Sequence, residues 1–119
     1  MSHAAALSLL LIAGAAAAQS SFVPGFDDVP LMPGLAAAAE GPMVFDAPGG
    51  RIVDVQTTGR AEAGRVLAFY RDTLPQLGWR PAGADGRFER EGEVLTLLIA
   101  QPERDRVTVR FSLAPAPGK

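Results

Sequence analysis

The chain has 119 residues, 48% of them apolar, and eleven Lys and Arg against thirteen Asp and Glu give it a formal net charge of −2. That balance offers no electrostatic case for nucleic acid. The absence of Cys excludes disulfides, iron–sulfur sites, thiol catalysis and a lipid-modified cysteine.

Residues 1–18 run from Ala4 to Ala13 as an apolar stretch and continue into alanines, the length and small-residue ending of a cleaved signal peptide. Cleavage after Ala18 would leave Gln19 first. The leader's basic end is reduced to the amino terminus and His3. The uncharged run is also shorter than the ~20 residues that span a bilayer. No later segment could span one. Abundant Ala, Gly, Pro and Arg, with Lys119 the only lysine, suggest a GC-rich bacterial genome and hence a periplasmic location. About 100 mature residues suffice for one modest domain, which without disulfides must rest on its core.

Residues 19–41 carry Pro24, Pro30 and Pro33 with Gly25 and Gly34, a spacing that predicts an extended segment without regular structure. Its apolar side chains, Phe22, Phe26, Val29, Leu31, Met32 and Leu35 among them, are too many for a solvated linker. They are expected either to lie against the domain or to dock a partner.

Residues 42–114 form the expected domain, followed by a flexible tail over 115–119. Pro42–Ala47 and Arg51–Thr58 read as a hairpin about Ala47-Pro48-Gly49-Gly50, whose Pro and paired Gly suit a turn. Within its second strand Val53, Val55 and Thr57 make the core face. A helix is predicted from about Arg60, with Thr58 as its cap and Glu62 in its first turn. Its apolar stripe is Ala63, Val66, Leu67, Tyr70, Leu74 and Leu77. Pro75 predicts a kink or an end near Thr73, and Gly78 is the natural stop. Trp79 follows, placed to lock the helix end to the sheet, and Tyr70 and Trp79 are assigned to packing rather than to a ligand surface.

Three further runs predict a meander. The run over 93–101 is apolar on both faces, as in a doubly covered central strand. Val107, Val109, Phe111 and Leu113 alternate with polar residues, giving the last strand one wet face. The expected fold class is α+β: a small antiparallel sheet of hairpin, helix and three-strand meander, with one long helix packed on one face. The second sheet face then needs a cover, for which the 19–41 segment or a partner protein is expected.

Once the leader and its His3 are removed, the chain lacks the residues of Ser-His-Asp and Cys-His catalysis and the usual zinc, copper and haem ligands. Gly49-Gly50 and Gly83-Ala84-Asp85-Gly86 lack the spacing and context of phosphate loops. Asp27-Asp28, Asp46, Asp54 and the Glu89, Glu91, Glu93 group are the remaining acids. The last three read as a solvated hairpin tip, and no loop has the regularly spaced oxygens that calcium needs.

Asp28-Val29-Pro30-Leu31-Met32-Pro33-Gly34-Leu35 together with Phe69-Tyr70-Arg71-Asp72-Thr73-Leu74-Pro75-Gln76-Leu77-Gly78-Trp79 resembles an uncharacterised family of small exported alphaproteobacterial proteins. The resemblance extends to Phe88–Glu93 and Val109–Phe111. It implies a fold and transfers no catalytic residue. The expected function is therefore a non-enzymatic periplasmic protein-binding or structural module of the cell envelope, without metal or cofactor, whose partner is an envelope protein. Phe22, Phe26, Val29, Leu31, Met32 and Leu35 are its candidate docking residues. The alternatives are binding of a small apolar or lipid ligand between helix and sheet and, behind it, a carboxylate-dependent hydrolase.

Overall fold

A computed structural model of the chain describes residues 21–117. The expected leader over 1–18, the expected first residue Gln19 and the final Gly118 and Lys119 lie outside the described residues. Seven strands make one antiparallel sheet: β1 (Leu35–Ala37), β2 (Met43–Ala47), β3 (Gly50–Gly59), β4 (Arg80–Pro81), β5 (Arg87–Arg90), β6 (Glu93–Glu103) and β7 (Arg106–Pro115). Their order is β1-β3-β7-β6-β5-β4, and β2 shares an edge of β3 with β1. Tight reversals at Pro48-Gly49, Glu91-Gly92 and Arg104-Asp105 join the long strands. Glu91 (φ 50°) and Gly92 (φ 80°) are both left-handed, the geometry whose twist matches a two-residue hairpin loop.

The expected α+β arrangement with one long helix does not form. The helix α1 spans only Ala63–Thr73, 11 residues, and a four-residue 3-10 turn, Leu74–Leu77, takes the place of further helix. Pro75 is the physical reason, since it has no N–H to continue the ladder and its ring crowds the preceding turn. Gly78, at φ 95°, ends the turn in the left-handed region, where a Cβ would be strained. What remains is a predominantly β fold carrying one short helix.

The start of α1 also differs from expectation. Glu62 is the N-cap, without a side-chain bond to the helix. Gln101 of β6 does that work from outside: Ala63 N–H donates to its Oε1 at 2.7 Å, while its Nε2 donates to the Ala61 carbonyl at 2.9 Å. Thr58, expected as the cap, lies in β3 and donates its hydroxyl to the Val107 carbonyl at 3.2 Å.

Strand alternation sorts the side chains into two faces. On the inner face, cross-strand rows run Val44–Val53–Leu113–Leu95–Phe88, then Val55–Phe111–Leu97, then Thr57–Val109–Ile99. Val66, Tyr70 and Leu74 join this core from the helix side, with the Tyr70 ring edge-on to Phe111 at 5.3 Å. Each buried side chain of this kind contributes roughly 1.5–3 kcal/mol before entropy. Thr57, the one buried polar residue described, is satisfied by donating to the Val109 carbonyl at 3.0 Å.

The 21–32 part of the segment expected as a cover goes to this same inner face, not to the opposite one. Residues 21–31 fold back on themselves, with Val23 N–H bonded to the Val29 carbonyl at 2.8 Å and Leu31 N–H to the Ser21 carbonyl at 2.9 Å. The loop inserts Val23, Phe26 and Val29 into the core, and Phe26 meets Phe111 edge-on at 6.3 Å. β1 then pairs with β3 so closely that a Cβ on Gly59 would overlap the Gly34 carbonyl oxygen.

The outer face carries Asp54, Gln56, Ser112, Arg110, Thr96 and Arg87 in its rows. Both-sided burial of β6 holds only at its start, where the successive Val94 and Leu95 are both buried; further along, Leu98 is 51% exposed, and the outer face there is wet because its polar residues already suit water.

Candidate functional site

Two clasps fix the 21–32 loop. Tyr70 reaches it from α1: the Met32 N–H donates to the phenol oxygen at 2.9 Å, and the phenol donates to the Pro30 carbonyl at 2.7 Å. Burial pushes the Tyr70 phenol up to about 12, against a smaller opposing effect of the Met32 hydrogen bond. Arg90 of β5 is the second clasp, donating to Asp28 Oδ2 at 2.7 Å and to the Leu77 carbonyl at 2.9 Å. Its guanidinium lies 4.2 Å over the Trp79 ring. Asp28, first, and nearby acids raise the Arg90 pKa further above its usual range.

The six expected docking residues are thereby dispersed. Phe26, Val29 and Leu35 are buried in the domain's own core, and Leu31 and Met32 pack against it. Phe22 alone is exposed, at 50%. Tyr70 and Trp79 are core residues, as their positions on the stripe and after the stop imply.

Several of the acidic residues are held by arginines. Arg110 grips Asp54 with two bonds, of 2.8 and 2.6 Å, Arg87 stands 3.7 Å from Glu89, and Arg51 stands 3.9 Å from Glu93. Glu40 and Asp54 line one surface cleft of about 280 Å³ between β1 and β2. Glu103 and Asp105 line another of about 220 Å³ by the β6–β7 turn. In each cleft one of the two acids is paired with an arginine, Asp54 with Arg110 and Glu103 with Arg106 at 3.5 Å. Neither cleft lies between helix and sheet. Among the described residues, no His, Cys, Asp and Glu group is placed to hold a metal ion, and no helix is long and apolar enough to cross a membrane.

The feature that stands out is β2, which sequence reading placed in the hairpin without marking it as a site. Met43, Val44 and Phe45 are 62%, 51% and 49% exposed, three consecutive large apolar residues on a sheet edge. The Ala47–Gly50 pair closes a two-residue loop, so this pair and every second one from it, Phe45–Ile52 and Met43–Asp54, exchange the ladder bonds with β3. The N–H and C=O groups of Val44 and Asp46 consequently face away from the sheet. Pro42 and Pro48 bracket the strand. The opposite edge is different: β4 has two residues, one of them Pro81. An edge of that kind blocks pairing, whereas β2 invites it. The sequence signal is Met43-Val44-Phe45: Val44 begins the inner apolar row, while Met43 and Phe45 put large apolar side chains on the outer face of an edge strand.

Comparison with protein-family models, with curated proteins and with solved structures finds no match.

Proposed function

We propose that the protein is a non-enzymatic protein-binding or structural module of the bacterial cell envelope, working in the periplasm after loss of its leader, and that it receives an extended strand of a partner on β2. The exposed Met43-Val44-Phe45 edge, with the outward main chain of Val44 and Asp46, is the observation that carries this reading. Main-chain bonding along such an edge supplies affinity, and pockets for alternate side chains supply choice of partner. The cleft lined by Glu40, Met43 and Gln56 adjoins the strand and gives an incoming side chain a seat. The leader-like residues 1–18 support export, and the buried positions of Phe26, Val29 and Leu35 move the docking function away from the Pro-rich segment.

A photo-crosslinking residue placed at Phe45 in the full chain, expressed in a bacterial host, tests this. A discrete protein adduct in the periplasmic fraction is expected from Phe45, none from Asp72 on the exposed side of α1, and none from Phe45 when Val44→Lys is also present. Equal labelling from Phe45 and Asp72, or none from either, would defeat the reading.

A further inference from the structure

We infer that the strand received at this edge is β2 of a second copy of the chain, paired antiparallel about a twofold axis through Val44 to give a weak homodimer with one continuous sheet. This rests on the reading of β2 as a docking strand and names its occupant. The main chain is self-complementary in that register. Val44 exchanges both of its outward groups with the second copy's Val44, and the Asp46 N–H reaches the second copy's Pro42 carbonyl. Pro42 has no N–H, so the pairing leaves no donor of either edge unmatched.

The side chains agree with the main chain. On the outer face Met43 meets the second copy's Phe45. On the inner face Val44 meets its twin, which prolongs the apolar row Val44–Val53–Leu113–Leu95–Phe88 across the axis into the second copy. Asp46, the one charged residue of β2, faces Pro42 rather than another carboxylate. A register centred on Phe45 would instead set Asp46 against Val44 and place a carboxylate in the apolar row. Symmetry also closes the assembly: an isologous pair uses both β2 edges, while Pro81 on the two-residue β4 discourages growth from the far side. Five residues a side bury less than the ~1,200 Å² of a standard stable interface, so the dimer is weak and reversible.

The absence of cysteine makes the test direct. The full chain is expressed with its own leader segment, purified as the cell processes it, and examined by sedimentation equilibrium up to millimolar concentration. A reversible monomer–dimer equilibrium is expected, weakened about tenfold or more by Val44→Lys, which would oppose two like charges at the axis. Val44 is half exposed at the end of its row, so a lysine there can turn its ammonium to water, and an unchanged urea midpoint for this variant checks that the monomer fold is kept. Separately, Val44→Cys, Phe45→Cys and Asp46→Cys are oxidised in parallel. The paired α-carbons at Val44 would stand about 5.5 Å apart, within disulfide reach, so Val44→Cys crosslinks fastest and Asp46→Cys slowest. A strictly monomeric protein, or crosslinking fastest at Phe45→Cys, overturns the inference. If the purified protein is monomeric yet Phe45 still gives an adduct of another mass in cells, the docking strand stands and only its occupant is wrong. If both fail, so does the reading beneath.

Discussion

The two faces of the sheet come from the same strands and differ only in what alternate residues meet. On β7, Phe111 points inward to Phe26 and Tyr70, whereas its neighbour Arg110 points outward to Asp54. One face is closed by α1 and the 21–32 loop, and the other is finished by ion pairs and hydroxyls in water. Stability therefore resides on one side of a sheet a single layer thick. The sharpest contrast falls within adjacent residues: Phe111→Ala should cost about 3–5 kcal/mol, and Ser112→Ala within about 0.5 kcal/mol. Urea unfolding of both variants measures it, and similar losses at the two positions would abolish the distinction between the faces.

Next in size is the clasp that brings the loop to the inner face. Tyr70→Phe keeps the ring against Phe111 but deprives the Met32 N–H and the Pro30 carbonyl of their partner, an expected loss of about 1–3 kcal/mol. The same hydroxyl sets an alkaline limit. Below pH 10 the phenol is neutral in both folded and unfolded chains. Between its ordinary value of 10.0 and about 12 the unfolded chain releases the proton while the folded one holds it. Stability thus falls as pH rises through that window, by roughly 1.4 kcal/mol per unit. Tyr70 is the only tyrosine, so its ultraviolet titration reads the folded value directly, and Tyr70→Phe should lose this part of the alkaline slope. A midpoint near 10 in the folded protein would mean that the loop does not bury the phenol.

How much of this was legible follows from which interactions are periodic. Alternation in Val107–Leu113 and in Val53, Val55 and Thr57 gave the inner face, because a two-residue period is written in the sequence itself. Pro75 and Gly78 gave the helix end for local steric reasons. β1 and β4 were not legible, since three and two residues hold no period, and Leu35-Ala36-Ala37 has little strand propensity of its own. They are strands because β3 and β5 offer them a ladder. The cap from Gln101 comes from 38 residues away and leaves no local trace. The choice of face by residues 21–32 is likewise non-local: the two-sided apolar run over 93–101 suggests that the second face needs a cover, while the ion pair that finishes that face depends on the register of β3 with β7. The dispersal of the candidate docking residues has the same cause. Apolar residues mark what can be buried, and only the fold decides which are left out.

Arg90 joins the two levels, being on an exposed hairpin yet reaching the loop and Trp79. Arg90→Ala should cost about 1–2 kcal/mol, the range of a partly buried ion pair and a cation–aromatic contact on a buried ring together. Its effect should be local. Faster amide exchange at Val23 and Leu31, with β7 unchanged, is the expected signature, and uniform acceleration would show that the loop and sheet open as one unit.

The smallest stability effects are expected where function is placed. Leu98 and Phe45 are both about half exposed and both on the outer face, one on a central strand and one on the edge. Leu98→Ser and Phe45→Ser should each change unfolding free energy by no more than about 0.5 kcal/mol, because neither side chain is removed from a packed site. They should part company in association. Leu98 lies within β6 opposite Arg110 of β7, and because its neighbour Leu97 turns its N–H the other way, to the Gly86 carbonyl, the main chain of Leu98 faces β7, so it can offer a partner only its side chain. Phe45 stands beside free main-chain groups, and replacing it removes the apolar contact that would accompany strand addition. Sedimentation of the two variants beside the unaltered chain therefore separates exposure from availability: equal weakening by both would assign the contact to the outer face, and weakening by Phe45→Ser alone assigns it to the β2 edge.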